Sequence, residues 1–234
     1  HNTLALEKAF RKGFLLPILF NKIKSIFVSN YLNKITSELY MFNKRKVIPN
    51  FLPSIFEKNK QNFKRKKIFV WSVQREKGLN RTLELWSKNI FNSNKDIKLF
   101  IFGIKKDKFN SKIKYYQKKN IFFFDRVSKK KLKDIYNKSL AMICLGYDET
   151  FCLNALEANS CGLPIITFGK TSLKDFTVDK KNGFLVNDFN ELGDKILYLS
   201  RSKINKNVIK YCYNHSKKFY LDKIFPQWLK LINE

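Results

Sequence analysis

The chain has 234 residues, 44% hydrophobic and 15% aromatic, enough apolar material for a packed core, which excludes a disordered or low-complexity chain. Lys and Arg total 47 against 19 Asp and Glu, a formal charge of +28 that by itself points to an anionic partner such as nucleic acid, phospholipid or a phosphorylated substrate. Forty of the cations are lysines and 24 residues are asparagines, a bias that AT-rich codons produce without selection for binding.

The opening residues read as a helix over 3–11, a strand over 25–29, a helix over 32–39 and a short strand over 46–48 ending at Pro49-Asn50. Two strands are too few for an independent sheet core. Residues 1–62 are therefore expected to be the end of a preceding α/β domain, with the polar, basic stretch 57–67 as linker. The first residue is His1 rather than Met, which suggests a piece of a longer protein. The basic stretch 8–24 carries Phe and Leu, so docking on an anionic membrane surface stands beside an ordinary packed helix and loop.

From residue 67 the chain alternates between two kinds of segment. β-branched and aromatic runs fall at 68–73, 97–102, 121–124, 140–145, 164–168 and 184–186, and helical-period stretches at 79–90, 109–118, 130–138, 152–160 and 190–199. Leu79, Leu83, Trp86 and Ile90 fall on one helix face. The strands are apolar almost throughout, as a parallel sheet covered on both faces requires. Residues 63–202 thus predict an α/β, Rossmann-like parallel sheet with right-handed crossovers, and residues 203–234 two C-terminal helices.

Cys144, Cys152, Cys161 and Cys212 form no CxxC pair, and the histidines are His1 and His215, so neither a zinc site nor a disulfide framework is expected. The thiols read as small core residues of a reduced, cytoplasmic protein. The apolar run 13–20 contains Pro17 and is too short to cross a bilayer. His215 reads as a surface or packing residue.

In an open parallel sheet, ligands bind beyond the carboxyl ends of the strands. The run 140–145 is followed by Gly146-Tyr-Asp-Glu149-Thr150 and then Phe151-Cys-Leu-Asn-Ala-Leu-Glu157, with Thr150 as the expected N-cap and Cys161-Gly162 as the helix end. The amides of Phe151, Cys152 and Leu153 would then present a phosphate site at the helix tip. Glu149 and Glu157 could accept hydrogen bonds from sugar and ribose hydroxyls. Dipole complementation and a solvated helix surface would place the same acids there. A second constellation, Arg75-Glu-Lys77-Gly78, follows the first strand, where its cations could neutralise phosphate oxygens, although a loop lysine is unremarkable in this chain. Arg75 is one of only seven arginines. Gly169-Lys-Thr-Ser172 is no phosphate loop, because Pro164 stands where the first glycine is required. Asp125-Arg126 lacks the second carboxylate of a DxD metal motif.

Glu149-Thr-Phe-Cys-Leu-Asn-Ala-Leu-Glu157-Ala with Cys161-Gly162-Leu-Pro164 resembles the E-x7-E region of retaining GT-B glycosyltransferases, glycosyltransferase family 4. Arg75-Glu-Lys77-Gly78-Leu79 is similar to that family's basic loop, Asn182-Gly183-Phe-Leu-Val186 to its later G-x-L-V strand, and residues 25–30 with Val47-Ile-Pro-Asn50 to the close of its N-terminal domain. The resemblance implies the C-terminal half of a GT-B fold with a partial N-terminal α/β domain. It implies sugar transfer from a nucleotide-sugar donor to a glycan or lipid-linked acceptor hydroxyl with retention, and no separate cofactor or essential metal. Glu149 would hold donor-sugar hydroxyls, the amides of Phe151, Cys152 and Leu153 the diphosphate, and Glu157 the ribose. Lys77 with Arg75 would stabilise charge on the departing diphosphate, and the base would lie near Arg126 and Val127. The family's usual Gly-Arg is replaced by Trp71-Ser72, and its common glycine by Cys152. With most of an acceptor domain missing, the piece is expected to bind donor but to have little activity by itself. The location implied is cytoplasmic, with peripheral contact at the inner face of a membrane. The competing reading is a non-enzymatic basic nucleic-acid-binding module. Its aromatics would form an exposed stacking row, whereas those here fall in strands and on helix faces, so no nucleic-acid partner is expected.

Overall fold

The structure is a computed structural model describing residues 24–39, 44–59, 61–71, 78–103, 109, 111–146, 149–202 and 204–233. The expected helix 3–11, residues 8–23 of the basic stretch, and both Arg75 and Lys77 lie outside the described residues.

Strand β1 (Lys24–Phe27) leads through helix α1 (Asn30–Leu39) to β2 (Lys44–Val47), which pairs with β1 in parallel. After α2 (Ser54–Glu57) come β3 (Ile68–Trp71), α3 (Leu79–Leu85), β4 (Lys98–Phe102), α4 (Ile113–Lys118), β5 (Ile121–Phe124), α5 (Lys129–Tyr136) and β6 (Ala141–Ile143). Then follow α6 (Leu153–Ser160), β7 (Ile165–Phe168), α7 (Leu173–Phe176), β8 (Gly183–Val186), α8 (Phe189–Arg201), α9 (Lys206–Ser216) and α10 (Leu221–Ile232). Strands β3 to β8 form one six-stranded sheet, ordered β5-β4-β3-β6-β7-β8, in which every pairing is parallel. This is the α/β parallel sheet expected from the sequence.

The pleat explains the apolar strands. Phe69 and Trp71 join Ala141 and Ile143 in a cluster with Leu83 and Trp86, while Val70, Met142 and Cys144 face the opposite way, into a cluster with Leu156 and Cys161. Alternate residues thus feed two cores, one on each face. The expected helix 79–90 is regular only to Leu85; it continues as a π-helical turn, Trp86–Ile90, and a last turn, Phe91–Ser93. Leu79, Leu83, Trp86 and Ile90 are all buried, as their spacing predicts. The Trp86 indole sits edge-on to Phe69 at 5.9 Å and donates to the Lys119 carbonyl at 3.1 Å. The short helices α2 and α7 were not legible from periodicity, each being a single turn.

The basic stretch preceding β3 lacks regular structure from 61 to 66 but is pinned to the sheet domain. Arg65 donates to the carbonyls of Tyr136 (2.8 Å), Cys161 (2.9 Å) and Gly162 (3.1 Å), and Asn62 Nδ2 to that of Asn137 (2.8 Å). His215 packs against the rings of Phe176 (5.1 Å) and Phe219 (5.8 Å), and its Nδ1 accepts from Asn182 Nδ2 at 3.1 Å. Burial, with a smaller contribution from Lys218, pushes its imidazole down to about 4, which fits a neutral packing residue. Among the described residues, no helix is long and apolar enough to cross a membrane.

Candidate functional site

The chain leaves β3 toward β4 and β5 on one side, then returns to β6 on the other side of β3. The carboxyl ends of β3 and β6 therefore flank the point where strand order reverses, the place where such sheets bind ligands. The chain is described again after β3 at Gly78, whose φ of +84° is left-handed. A Cβ on Gly78 would lie 3.5 Å from Leu145 Cβ and 3.7 Å from the Phe189 ring, so the start of α3 rests against the residues that follow β6. The positive φ is what calls for glycine here, since a Cβ would make only ordinary contacts.

Helix α6 begins later than its sequence suggests. Its N-cap is Cys152, in extended conformation and with no side-chain cap bond, rather than Thr150. The first turn closes on the Cys152 carbonyl, which accepts from Ala155 (3.1 Å) and Leu156 (3.2 Å), leaving Thr150 too far back to cap it. Among the described residues, no group accepts from the amides of Phe151, Cys152 or Leu153. Donors at a helix start with the positive end of its dipole are a local anion site. The far end closes as expected, at Gly162 with φ +68°.

Two acids stand near this helix start in different environments. Glu149 lies over Gly146 so closely that a Cβ there would fall 2.4 Å from Glu149 Cγ. The Glu149 carbonyl accepts from the Ser172 amide at 3.3 Å. Glu157 is only 1% exposed, which overturns the solvated-surface alternative. Its Oε1 lies 2.5 Å from Lys129 Nζ, and its buried Oε2 has no partner among the described residues. Burial pushes the Glu157 carboxyl up, and Lys129 pulls it part of the way back.

Lys129 is the residue that sequence reasoning missed. It opens α5, whose N-cap Ser128 accepts from the Lys131 amide at 3.3 Å. A cation at a helix start opposes the dipole, a signal hidden inside a run of three lysines, Lys129 to Lys131. Through Lys129 the loop after β5 reaches α6, although β3 and β4 separate β5 from β6 in the sheet. In that loop Arg126 is exposed and Val127 is half-buried against the α6-side core. Phe151 turns its ring toward Phe219, with centroids 6.0 Å apart, so its side chain packs while its amide remains at the helix start.

The residues following β1 and β2 face the same region. Ser29, Asn30 and Pro49 line a cavity of about 190 Å³ together with Phe151, Ser172 and Asp175. The Tyr31 amide donates to Asp175 Oδ2 at 2.6 Å. Carboxyl ends of both sheets thus meet across one cleft. Among the described residues, no group of three or more His, Cys, Asp or Glu is placed to hold a metal ion.

Fold and site define a Rossmann-like α/β protein with an anion-receptive helix tip at the strand reversal. The chain belongs to the family described as glycosyl transferases group 1, which matches residues 53–215. Its fold is similar to that of a point mutant of S. aureus TarM in complex with fondaparinux, alpha-GlcNAc-glycerol and UDP (TM-score 0.74, 20% identity, 92% of this chain and 45% of that one). It is also similar to sucrose-phosphate synthase from Thermosynechococcus elongatus (TM-score 0.74, 16% identity, 89% and 57%). HepE of Anabaena in complex with UDP and glucose is another likeness (TM-score 0.72, 12% identity, 90% and 63%). No curated protein matches the chain in sequence. The sheet is that of the GT-B glycosyltransferases, and the chain spans 45% of TarM's length.

Proposed function

We propose that the chain supplies the donor-binding part of a retaining glycosyltransferase. The enzyme would move a sugar from a nucleotide-sugar to a hydroxyl of a glycan or lipid-linked saccharide. The observation that carries this reading is the uncapped start of α6 at the strand reversal, with Glu149 before it and the buried, half-partnered carboxylate of Glu157 behind it. Two fold relatives were solved with UDP, which supports a nucleoside diphosphate as the ligand class.

In this reading the amides of Phe151, Cys152 and Leu153 hold the donor diphosphate, and Glu157 Oε2 accepts from a ribose hydroxyl. Glu149 orients hydroxyls of the sugar. Lys77 and Arg75 stabilise the negative charge that gathers on the diphosphate as the glycosidic bond breaks, an effect strongest where cations are already in position. Arg126 and Val127 border the base. The donor is a substrate, so no further cofactor is invoked. The acceptor enters from the side of β1 and β2. A lipid-linked acceptor would place the enzyme at the inner face of a membrane, with the stretch 8–24 near anionic lipid.

Titration calorimetry with UDP, GDP and ADP tests the proposal. We expect saturable binding of at least one, weakened about ten-fold or more by Glu157→Ala, since a hydrogen bond to a charged group contributes ~1.5–3 kcal/mol. Glu149→Ala should leave the bare nucleotide nearly unaffected and reduce the preference among nucleotide-sugars. A folded protein that binds none of the three overturns the reading.

A further inference from the structure

Cys144 and Cys152 flank the segment that carries Glu149, and their Sγ atoms stand 3.5 Å apart. The other two thiols, Cys161 and Cys212, are buried elsewhere. Donor binding as described uses the amide of Cys152 and not its sulfur, which makes no bond to the helix backbone and faces Cys144 instead. We propose that Cys144 and Cys152 form a dithiol that a low-molecular-weight disulfide oxidises to an intramolecular disulfide across the base of this loop.

The two sulfurs are already in contact, and a bond length of ~2.05 Å requires them to close by about 1.5 Å. Their exposures divide the labour. Cys152 is half-buried, so an oxidant can reach it, whereas Cys144 is completely buried. The contact with Cys152 and burial both push the Cys144 thiol up, so Cys152 is the sulfur that an oxidant meets first. Cys152 attacks one sulfur of glutathione disulfide, forming the mixed disulfide and expelling one glutathione, which carries off the thiol proton. Cys144 then attacks the Cys152 sulfur of that mixed disulfide; its proton leaves with the second glutathione. Two protein thiols are oxidised to one disulfide while one glutathione disulfide is reduced to two thiols. Contact between the two sulfurs makes the second step intramolecular and favours it over accumulation of the mixed disulfide.

The bond would draw the N-cap of α6 toward the end of β6 and shift the Cys152 and Leu153 amides with it. This consequence rests on the donor reading; the bond itself does not. Residues 139–170 form one tryptic peptide containing Cys144, Cys152 and the buried Cys161, so oxidation, alkylation after denaturation and fragment mass spectrometry distinguish a Cys144–Cys152 bond, with the label on Cys161, from any other pairing. In wild type we expect that peptide to lose two hydrogens and to carry no label at Cys144 or Cys152, reversibly with dithiothreitol. Cys144→Ser should stop at a stable glutathione adduct on Cys152, and Cys152→Ser should remain unmodified while native. A wild-type protein that stops at the adduct, or whose Cys152 is alkylated after oxidation, overturns the proposal. Calorimetry with UDP on the two forms reads the consequence, a fall of about ten-fold or more on oxidation. A cross-linked protein with unchanged affinity overturns control of the site. A reduced protein that does not bind UDP overturns the donor reading and leaves the cross-link result to be judged by itself.

Discussion

Lys129→Met is expected to destabilise the protein by about 1–3 kcal/mol at pH 8, and by less at pH 5. Glu157 is 1% exposed and has Lys129 as its charged partner at 2.5 Å. Removing one partner of a fully buried pair costs ~3–5 kcal/mol, and the Lys129 side chain is 51% exposed, so solvent screening reduces that figure. The pH dependence follows from the direction of the Glu157 shift. Burial raises its folded pKa above the ordinary carboxylate value of ~4.3, and Lys129 opposes the rise. A group whose folded pKa is raised contributes stability below its unfolded pKa and loses it as pH rises through the folded value. Without Lys129 the folded pKa moves higher still, so the deficit is complete in alkali and shrinks as Glu157 takes up a proton. Urea denaturation at the two pH values measures it. Equal stability of variant and wild type at both would mean that the ion pair contributes nothing to the fold.

Arg65→Ala should cost more, about 3–4 kcal/mol, through loss of charge-assisted bonds to carbonyls at the ends of α5 and α6. The guanidinium reaches Tyr136 at 2.8 Å, Cys161 at 2.9 Å and Gly162 at 3.1 Å, and no single water could replace a planar fork spanning two helix ends. Arg65→Lys keeps the charge but not the fork, and should recover less than half of the loss. Chemical denaturation provides the comparison; a loss below about 1 kcal/mol for Arg65→Ala would contradict this role.

How much of this was legible depended on whether the signal was local. The sheet was, because Phe69-Val70-Trp71 and its counterparts alternate between two cores and therefore read as continuous apolar runs. The loop after β6 was legible as one that follows a strand, but the strand reversal beside it is shown only by the order of the sheet. The start of α6 was not legible: Thr150 is the better capping residue, yet the turn closes on Cys152, a choice made by tertiary packing. Glu157 looked like a candidate for a wet surface, although Ala155, Leu156, Ala158 and Asn159 around it are all buried. Its partner Lys129 was masked by two identical neighbours. The residues beside Arg65 suggest only a charged linker, because the carbonyls of Tyr136, Cys161 and Gly162 that it reaches are distant in sequence. Cys144 and Cys152 are eight positions apart, a separation no cysteine motif marks.

The central claim, that a nucleoside diphosphate sits on the start of α6, is tested most directly by following backbone amide resonances of the isotope-labelled protein during titration with UDP. The largest shifts are expected at Cys152, Leu153 and Glu157, with smaller ones at Gly78 and at Val127 to Lys129. The contradicting result would be shifts confined to the cation-lined cavity at the amino ends of β3 and β6, around Arg65, Arg201 and Lys206, with the α6 amides unmoved.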